Sequence, residues 1–207
     1  ILKSASLHIE KGEILAIGHN LVVPHDAVVV DASGWHITPG IIDCHSHMAT
    51  DGGINESGQA ITAEVRVGDF VDAKDINIYR QLAGGVTVAN ILHGSANPIG
   101  GQNQVIKLRW GESYRNLKFT DAPQGIKFAL GENVKQSNWG DAYRSRYPQT
   151  RMGVEQIFRD TFRAATKYRR RWEDWQQNHR GLPPRVDLEL QAVAEILAGE
   201  RLSLIHI

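Results

Sequence analysis

The sequence predicts an α/β fold in which a small β-module precedes a series of parallel strands and helices. Residues 5 to 17 alternate apolar and polar side chains on either side of a Lys11-Gly12 turn, which is the pattern of a β-hairpin. Later in the chain, short apolar runs of strand type alternate with amphipathic stretches of helical period. Such alternation is typical of helices that connect parallel strands.

Length and charge limit the kinds of partner. The 207 residues suffice for one large domain or for a domain plus a small module. Lys and Arg together number 23, as do Asp and Glu, so the net charge gives no argument for nucleic acid or an anionic membrane. A small-molecule substrate is therefore the favoured partner, and a homo-oligomer stays open. The single cysteine excludes an internal disulfide framework, but it does not decide between cytoplasm and periplasm.

Residues 1–36 form the predicted β-module. After the hairpin, a third strand is expected over residues 27–30, before a turn at residues 31–34. The four histidines of this part are expected at its surface or turns: His8, His19, His25 and His36. The chain opens at Ile1 without an initiator Met, inside a strand-type pattern, so we expect both of its ends to be truncated.

The next stretch, from Pro39-Gly40 to His47, predicts a buried strand that ends in two histidines. Side chains alternate between the faces of a strand, so Asp43, His45 and His47 are expected on one side and Cys44 on the other. Two imidazoles on one face suit a divalent metal ion, and the carboxyl end of a strand is where barrel enzymes assemble their sites. The alternative is an ordinary polar strand end. Cys44 is expected to be a buried, inert thiol that faces a helix layer.

The next segments continue the predicted alternation of helices and strands. Residues 50–68 are predicted to form a long loop, and Asp75 is expected to cap a helix that runs to Ala83, with Gly84 as its left-handed end. Residues 86–92 then form a predicted parallel strand, with His93 at its carboxyl end.

The glycine-rich segment 94–103 is predicted to be a substrate loop. Its glycines would let the backbone approach a ligand closely, and His93, Asn97 and Gln102 could orient that ligand. A tight structural turn is an equally good interpretation. The segment lacks the Gly-Lys-Ser/Thr ending of a nucleotide-binding loop.

The second half of the chain continues the pattern of strands and helices. A short strand is expected over residues 105–108, and a stronger one over residues 125–130. Glu132 lies just past that strand, so it is placed like His47, although a surface glutamate is the alternative. Amphipathic spacing predicts a long helix over residues 154–175, whose arginines form a solvated face, and a second helix between Asp187 and Gly199. Residues 202–207 fit the start of another strand, or foreign sequence joined to the chain.

With these motifs in place, the sequence resembles the metal-dependent amidohydrolase superfamily, close to its imidazolonepropionase-like branch. The first motif is Thr38-Pro39-Gly40-Ile41-Ile42-Asp43-Cys44-His45-Ser46-His47, and the others are Ala83-Gly84-Gly85-Val86-Thr87, Gly94 to Gln102, Ile126 to Asn133 and Tyr147 to Gly153. The resemblance implies a partial (β/α)8 barrel, with residues 1–36 as part of a β-sandwich and residues 37–207 as the N-terminal half of the barrel.

The resemblance also implies a metal site. His45 and His47 match the first two ligands of the family, and a carboxylated lysine or a glutamate usually bridges the metals. Lys127 and Glu132 are the candidates for this bridge, and Glu132 is favoured because Lys127 lies five residues earlier, roughly 16 Å deeper along the strand. His206 could supply a third histidine. One or two divalent ions are expected, zinc above all, while a proton-shuttling Asp is expected beyond the end of the chain.

These expectations define two functional hypotheses. The first is a hydrolase that uses a metal-activated water to cleave carbon–nitrogen bonds of cyclic amides, amides or dipeptides. The second is a non-catalytic scaffold of the same fold, used for binding or assembly. In either case residues 1–207 alone are expected to be inactive, and their open sheet edges are expected to cause aggregation or dimerisation.

Overall fold

A computed structural model describes residues 2–206, without the side chain of His206. The chain divides into two compact units, Ile1–Pro39 and Gly40–Ile207. In the first unit, strands β1 (Ser6–Glu10) and β2 (Glu13–Gly18) form the predicted antiparallel hairpin. Lys11 and Gly12 adopt left-handed φ values of 51° and 84°, as a tight turn requires.

The predicted third strand of this unit is wrong. Residues 27–30 are in no strand, and their valine side chains at positions 28, 29 and 30 are exposed. β-Branched residues favour extended backbone, but a strand also needs a partner for its amide and carbonyl groups. Among the described residues of this unit, only β1 and β2 pair with each other.

In its described part, the second unit contains two mixed three-stranded sheets. In the first, β3 (Ile41–Ser46) is parallel to β4 (Val86–Ile91), and β6 (Gln104–Lys107) is antiparallel to β4. In the second, β7 (Gly125–Ala129) is parallel to β8 (Leu202–His206), and β5 (Ile99–Gln102) is antiparallel to β7. The α/β class is therefore confirmed, and strand β5 corrects the prediction that residues 94–103 form only a loop.

Within residues 2–206, four α-helices accompany these sheets: α1 (Ile76–Ala83), α2 (Tyr114–Leu117), α3 (Arg151–Asn178) and α4 (Leu188–Ala198). Helix α3 extends the predicted range by three residues at each end. None of the helices within residues 2–206 is long and apolar enough to cross a membrane.

The helix ends largely follow the predicted capping chemistry. The carboxylate of Asp75 accepts the Asn77 N–H at 2.9 Å at the start of α1, and that of Asp187 accepts the Leu190 N–H at 3.0 Å at the start of α4. Gly199 ends α4 in the left-handed conformation, at φ 79°. At the end of α1 the prediction is wrong by one residue, because Gly84 has φ −83° and Gly85 is the left-handed glycine.

Each sheet has its own apolar core. Ile78 of α1 packs with Ile91 and Ile106 of the first sheet. Phe128 of β7 packs against Phe158 and Phe162 of α3, with ring centroids 5.7 and 6.2 Å apart. Burial of these side chains stabilises the strands and so holds their carboxyl ends in place.

Strand β3 lies at the edge of its sheet and is exposed. Among the named strands it pairs only with β4, and Ile41 and Ile42 are 56% and 69% exposed. Cys44 is also exposed, so the prediction of a buried thiol is wrong for this structure. The strand is also irregular, because its register with β4 shifts between Ile41 and Ile42 and again between Asp43 and Ser46.

Candidate metal centre

The two histidines of the β3 motif meet on one side of the strand. His45 lies within β3 and His47 just after it, and their Nε2 atoms are 3.3 Å apart, as the alternation of side chains predicts. The two rings are nearly perpendicular, with an interplanar angle of 86°. His47 Nδ1–H donates to the carbonyl of Leu92 at 2.9 Å, which orients the ring and leaves Nε2 with its lone pair.

Lys127 completes this group from the neighbouring sheet. It lies in β7, its side chain is only 1% exposed, and its Nζ donates to His45 Nε2 at 3.2 Å. Burial lowers the pKa of Lys127. The side chain spans enough length to bring Nζ to the histidines, although the backbone of Lys127 lies well before the end of the strand.

The spacing of the histidine nitrogens fits one metal ion. Two nitrogens that bind the same tetrahedral zinc ion at about 2.05 Å lie about 3.3 to 3.4 Å apart. The two Nε2 atoms lie within hydrogen-bond distance of each other, and both can bind one cation when neither carries a proton. The donor set of these residues therefore suits zinc.

Glu132, the favoured bridging residue of the sequence prediction, has other partners. It lies in a short 3-10 turn after β7, and its carboxylate accepts from Lys135, Arg151 and Asn138 at 2.7, 2.6 and 2.6 Å. These three partners, in the order Lys135, Arg151 and Asn138, lower the pKa of Glu132 to about 2. Among the side chains that the structure describes, no group of three or more His, Cys, Asp or Glu could share an ion. The structure therefore brings Lys127, rather than Glu132, to the two histidines.

His206 is the remaining predicted ligand. Its backbone ends β8 and pairs with Ala129 of β7. Its side chain lies outside the described residues, so its predicted role stays a prediction.

His93 is buried beside this group. Its ring is 2% exposed, Nδ1–H donates to the Gly94 carbonyl at 3.0 Å, and Nε2 accepts the Glu56 N–H at 2.8 Å. Burial is the largest influence and lowers the pKa of His93, although the hydrogen bond to Gly94 and the charge of Glu56 act in the opposite direction. The imidazole is therefore held neutral with its proton on Nδ1.

The glycines of the β5 segment make room for that ring. A Cβ atom on Gly100 would lie 2.7 Å from His93 Nδ1, and one on Gly101 would lie 3.0 Å from His93 Cδ2. We expected these glycines to let the backbone approach a ligand. In the structure, the His93 ring is the nearest group to Gly100, whereas Val65 is nearest to Gly101, where a Cβ would lie 2.7 Å from Val65 Cγ2 and 2.9 Å from Val65 O.

The other two residues of the predicted substrate loop bind backbone. Asn97, which is fully buried, donates from Nδ2 to the carbonyls of Glu56 and Gln59 at 2.6 and 2.7 Å. Gln102 donates from Nε2 to the Ala63 carbonyl at 2.9 Å. These contacts match the alternative interpretation of a structural turn, because they tie the segment after β4 to the segment after β3.

Arg146 also contacts both of these segments, and no sequence pattern distinguishes it from the other arginines of the chain. Its guanidinium donates to the carbonyls of Ser57 and Ala96. Backbone carbonyls carry no sequence signal, so only the folded structure identifies this contact.

The chain is similar in sequence and in fold to proteins named as amidohydrolases. No family profile matches the chain. The chain is 33% identical to an amidohydrolase of Hapsidospora irregularis, over 81% of this chain and 19% of that protein. A stretch of 52 residues, 25% of this chain, is 40% identical to 13% of an imidazolonepropionase of Vibrio cholerae serotype O1. The crystal structure of an amidohydrolase from Thermotoga maritima matches 97% of this chain, with a TM-score of 0.87 and 32% identity. The chain spans 53% of that protein.

Proposed function

Because the chain belongs to the amidohydrolase superfamily, we propose that it contributes the first metal ligands of a metal-dependent hydrolase of carbon–nitrogen bonds. The observation that carries this proposal is the convergence of His45 Nε2, His47 Nε2 and Lys127 Nζ, with neighbouring atoms 3.3 and 3.2 Å apart. The proposed substrates are cyclic amides, amides or dipeptides. Since the chain spans about half of its solved neighbour, the activity is proposed for a protein of that greater length.

The proposed architecture is the first half of a (β/α)8 barrel. Its support is that β3 and β4 are parallel, that β7 and β8 are parallel, and that the histidines of β3 and β4 lie at the carboxyl ends of their strands. Enzymes of this fold assemble their sites at that end. Residues 1–36 would then form part of an accompanying β-sandwich.

His45 and His47 would hold the metal through Nε2. Zinc, when bound, lowers the pKa of a coordinated water to about 7 and polarises a substrate carbonyl. The contribution of this chain is to orient the donors. The Leu92 carbonyl fixes the tautomer of His47, and the buried Lys127 places its Nζ within hydrogen-bond distance of His45 Nε2.

We further propose that Lys127, and not Glu132, provides the bridging oxygen ligands, as a carbamate. In the neutral state, the Lys127 amine nitrogen forms a bond to the carbon of carbon dioxide and releases one proton. The product carries one negative charge and two oxygen atoms where the structure has a single Nζ beside His45. Glu132 is less suited, because Lys135 and Arg151 already neutralise its carboxylate.

Metal analysis of purified variants tests this assignment. We expect the chain to bind one or two zinc ions, and His45→Ala and His47→Ala to weaken binding on the order of a hundredfold, since each removes one of few ligands. Lys127→Ala should weaken binding of a second ion and should abolish its dependence on bicarbonate. Glu132→Gln is the matched control and should bind zinc as the unmodified chain does.

Two outcomes would contradict the proposal. Zinc affinity that is unchanged in His45→Ala and His47→Ala would exclude these ligands and leave the non-catalytic scaffold. Loss of zinc in Glu132→Gln, with Lys127→Ala unaffected, would return the bridging role to Glu132. The reaction itself is tested on the longer protein by zinc-dependent hydrolysis of a panel of cyclic amides and dipeptides.

A further inference from the structure

We propose that Arg146 is a positioning residue that clamps together the two loops beside the candidate metal centre. These loops are residues 54–62, which follow β3, and residues 93–98, which follow β4. The functional meaning of this clamp rests on the proposed hydrolase function. Its structural basis is a set of hydrogen bonds that can be tested without any activity.

The Arg146 guanidinium binds three backbone carbonyls from three segments. Nε–H donates to Ser57 O at 2.7 Å, Nη2 donates to Ala96 O at 2.9 Å, and Nη1 donates to Tyr147 O at 3.1 Å. Ser57 belongs to the first loop and Ala96 to the second. A single rigid, planar cation therefore joins both loops to the segment that precedes α3.

The backbone of Arg146 is itself held in place. The side-chain oxygen of Gln136, a residue only 2% exposed, accepts the N–H groups of Ser145 and Arg146 at 2.9 Å each. Gln149 Nε2 donates to the Arg146 carbonyl at 2.6 Å. Because these contacts fix the Cα position, the guanidinium is already oriented toward the two loops, and little side-chain entropy is lost in each contact.

The clamped loops contact the histidines through short links. Glu56, the residue before Ser57, donates its N–H to His93 Nε2 at 2.8 Å. In the second loop, the Gly94 N–H donates to the Ile54 carbonyl at 2.9 Å. Leu92, which precedes this loop, accepts from His47 Nδ1. Loosening either loop would therefore disturb the partner of His93 and the residue that orients His47.

Arg144 provides a matched control two residues away. It is exposed, and its guanidinium pairs with Asp141 at 3.3 Å and donates to the Ser137 carbonyl at 3.4 Å. It contacts neither loop among its described partners. Replacing Arg144 removes the same charge from the same segment without removing the clamp.

The test is amide hydrogen exchange, measured by mass spectrometry on the chain and its variants. In Arg146→Met, we expect peptides that cover residues 54–62 and 93–98 to exchange about tenfold faster, because two charged hydrogen bonds between segments are lost. Arg146→Lys should restore part of the protection, since it keeps the charge but not the planar fork. Arg144→Met should exchange as the unmodified chain does. Peptides that contain the core residues Ile106 and Val193 report global unfolding and should not change.

A spectroscopic readout separates positioning from general stability. Nitrogen NMR of His93 should show the proton on Nδ1 in the unmodified chain and in Arg144→Met, and a mixture of tautomers in Arg146→Met, because Nε2 loses its fixed donor from Glu56. Unchanged loop exchange and an unchanged His93 tautomer in Arg146→Met would overturn the clamp. So would an equal acceleration in every peptide, which would indicate unfolding.

Failure of the clamp and failure of the hydrolase proposal give different results. His45→Ala removes a proposed metal ligand and should leave exchange of both loops unchanged. If zinc binding is normal and Arg146→Met has no effect, only the clamp is refuted. If His45→Ala keeps its zinc while Arg146→Met loosens the loops, the clamp holds and the metal assignment fails.

Discussion

Replacing Glu189 should stabilise the protein at alkaline pH. Glu189 lies in the first turn of α4, in a cleft of about 660 Å³ that it shares with Glu64 and Asp187. Burial, followed by the charges of Glu64 and Asp187, raises the pKa of Glu189 to about 7 from a reference of 4.5. Glu64 Oε2 is buried nearby and has no hydrogen-bond partner among the described residues, so a second negative charge is poorly accommodated here.

The sign and size of the effect follow from linkage. A carboxyl group whose pKa is raised by folding favours the folded state most at pH values below 4.5, and this contribution is lost as the pH rises through about 7. The shift from 4.5 to about 7 corresponds to at most about 3.4 kcal/mol, at 1.36 kcal/mol per pH unit. Because Glu189 is only partly buried, solvent screening reduces the expected effect to about 1 kcal/mol.

Urea unfolding at pH 4.5, 6 and 8 measures this effect. Glu189→Gln should raise the free energy of unfolding by about 1 kcal/mol at pH 8 and should change it little at pH 4.5. Glu200→Gln, at an exposed position after the same helix, is the control and should show no such pH dependence. A Glu189→Gln variant that is less stable at pH 8, or whose stability follows pH as the unmodified chain does, would refute the reasoning.

Four further changes test other parts of the structure. Gly100→Ala places a methyl group 2.7 Å from His93 Nδ1 and should lower the free energy of unfolding by about 1–3 kcal/mol in urea titrations, whereas Gly58→Ala, with its nearest contact at 3.4 Å, should be nearly neutral. Asp75→Ala removes the N-cap of α1 and the acceptor of the buried Ala49 N–H, so the free energy of unfolding should fall by about 2 kcal/mol. A fall below about 0.5 kcal/mol would contradict the role of this cap. The ion pairs of Glu132 stabilise the folded state at pH values above 4.5, and this contribution is lost as the pH falls through about 2. In a plot of the thermal unfolding midpoint against pH, Glu132→Gln should therefore reduce the fall at acid pH. An unchanged fall would show that the three partners of Glu132 contribute nothing. Ile42→Lys should reduce self-association of the 207-residue chain in analytical ultracentrifugation, because a charged edge strand resists pairing with another chain, and equal association would show that β3 is not the contact.

Local chemistry explains which features the sequence could predict. The hairpin, helix α4 and the convergence of His45 with His47 depend on turn residues, caps and alternation, which act over a few neighbouring residues. The same reasoning missed strand β5, because its glycines favour a loop by composition and its pairing with β7 joins residues more than twenty positions apart. Residues 27–30 show the converse, since strand propensity without a partner produced no strand.

The candidate site could not be predicted completely from the sequence, because it depends on side-chain length and on tertiary contacts. The preference for Glu132 compared positions along the strand backbone and did not include the reach of the Lys127 side chain, which brings Nζ to His45. Gly100 and Gly101 matched a ligand-binding loop in sequence, yet Gly100 makes room for His93 and Gly101 for Val65 and His93. Arg146 binds only backbone carbonyl groups at both loops. Because every residue has a carbonyl, no sequence pattern could identify these partners.

The packing of His93 against Gly100 and Gly101 has a consequence for how related sequences can vary. The ring and the two glycines occupy a single fixed volume, so a side chain at position 100 is tolerated only when position 93 carries a smaller residue. We therefore expect correlated substitution at positions 93 and 100 among relatives, and partial rescue of Gly100→Ala by His93→Ser in a double mutant. Selection would then act on positions 93 and 100 jointly, and a glycine pair alone would not identify a ligand-binding loop.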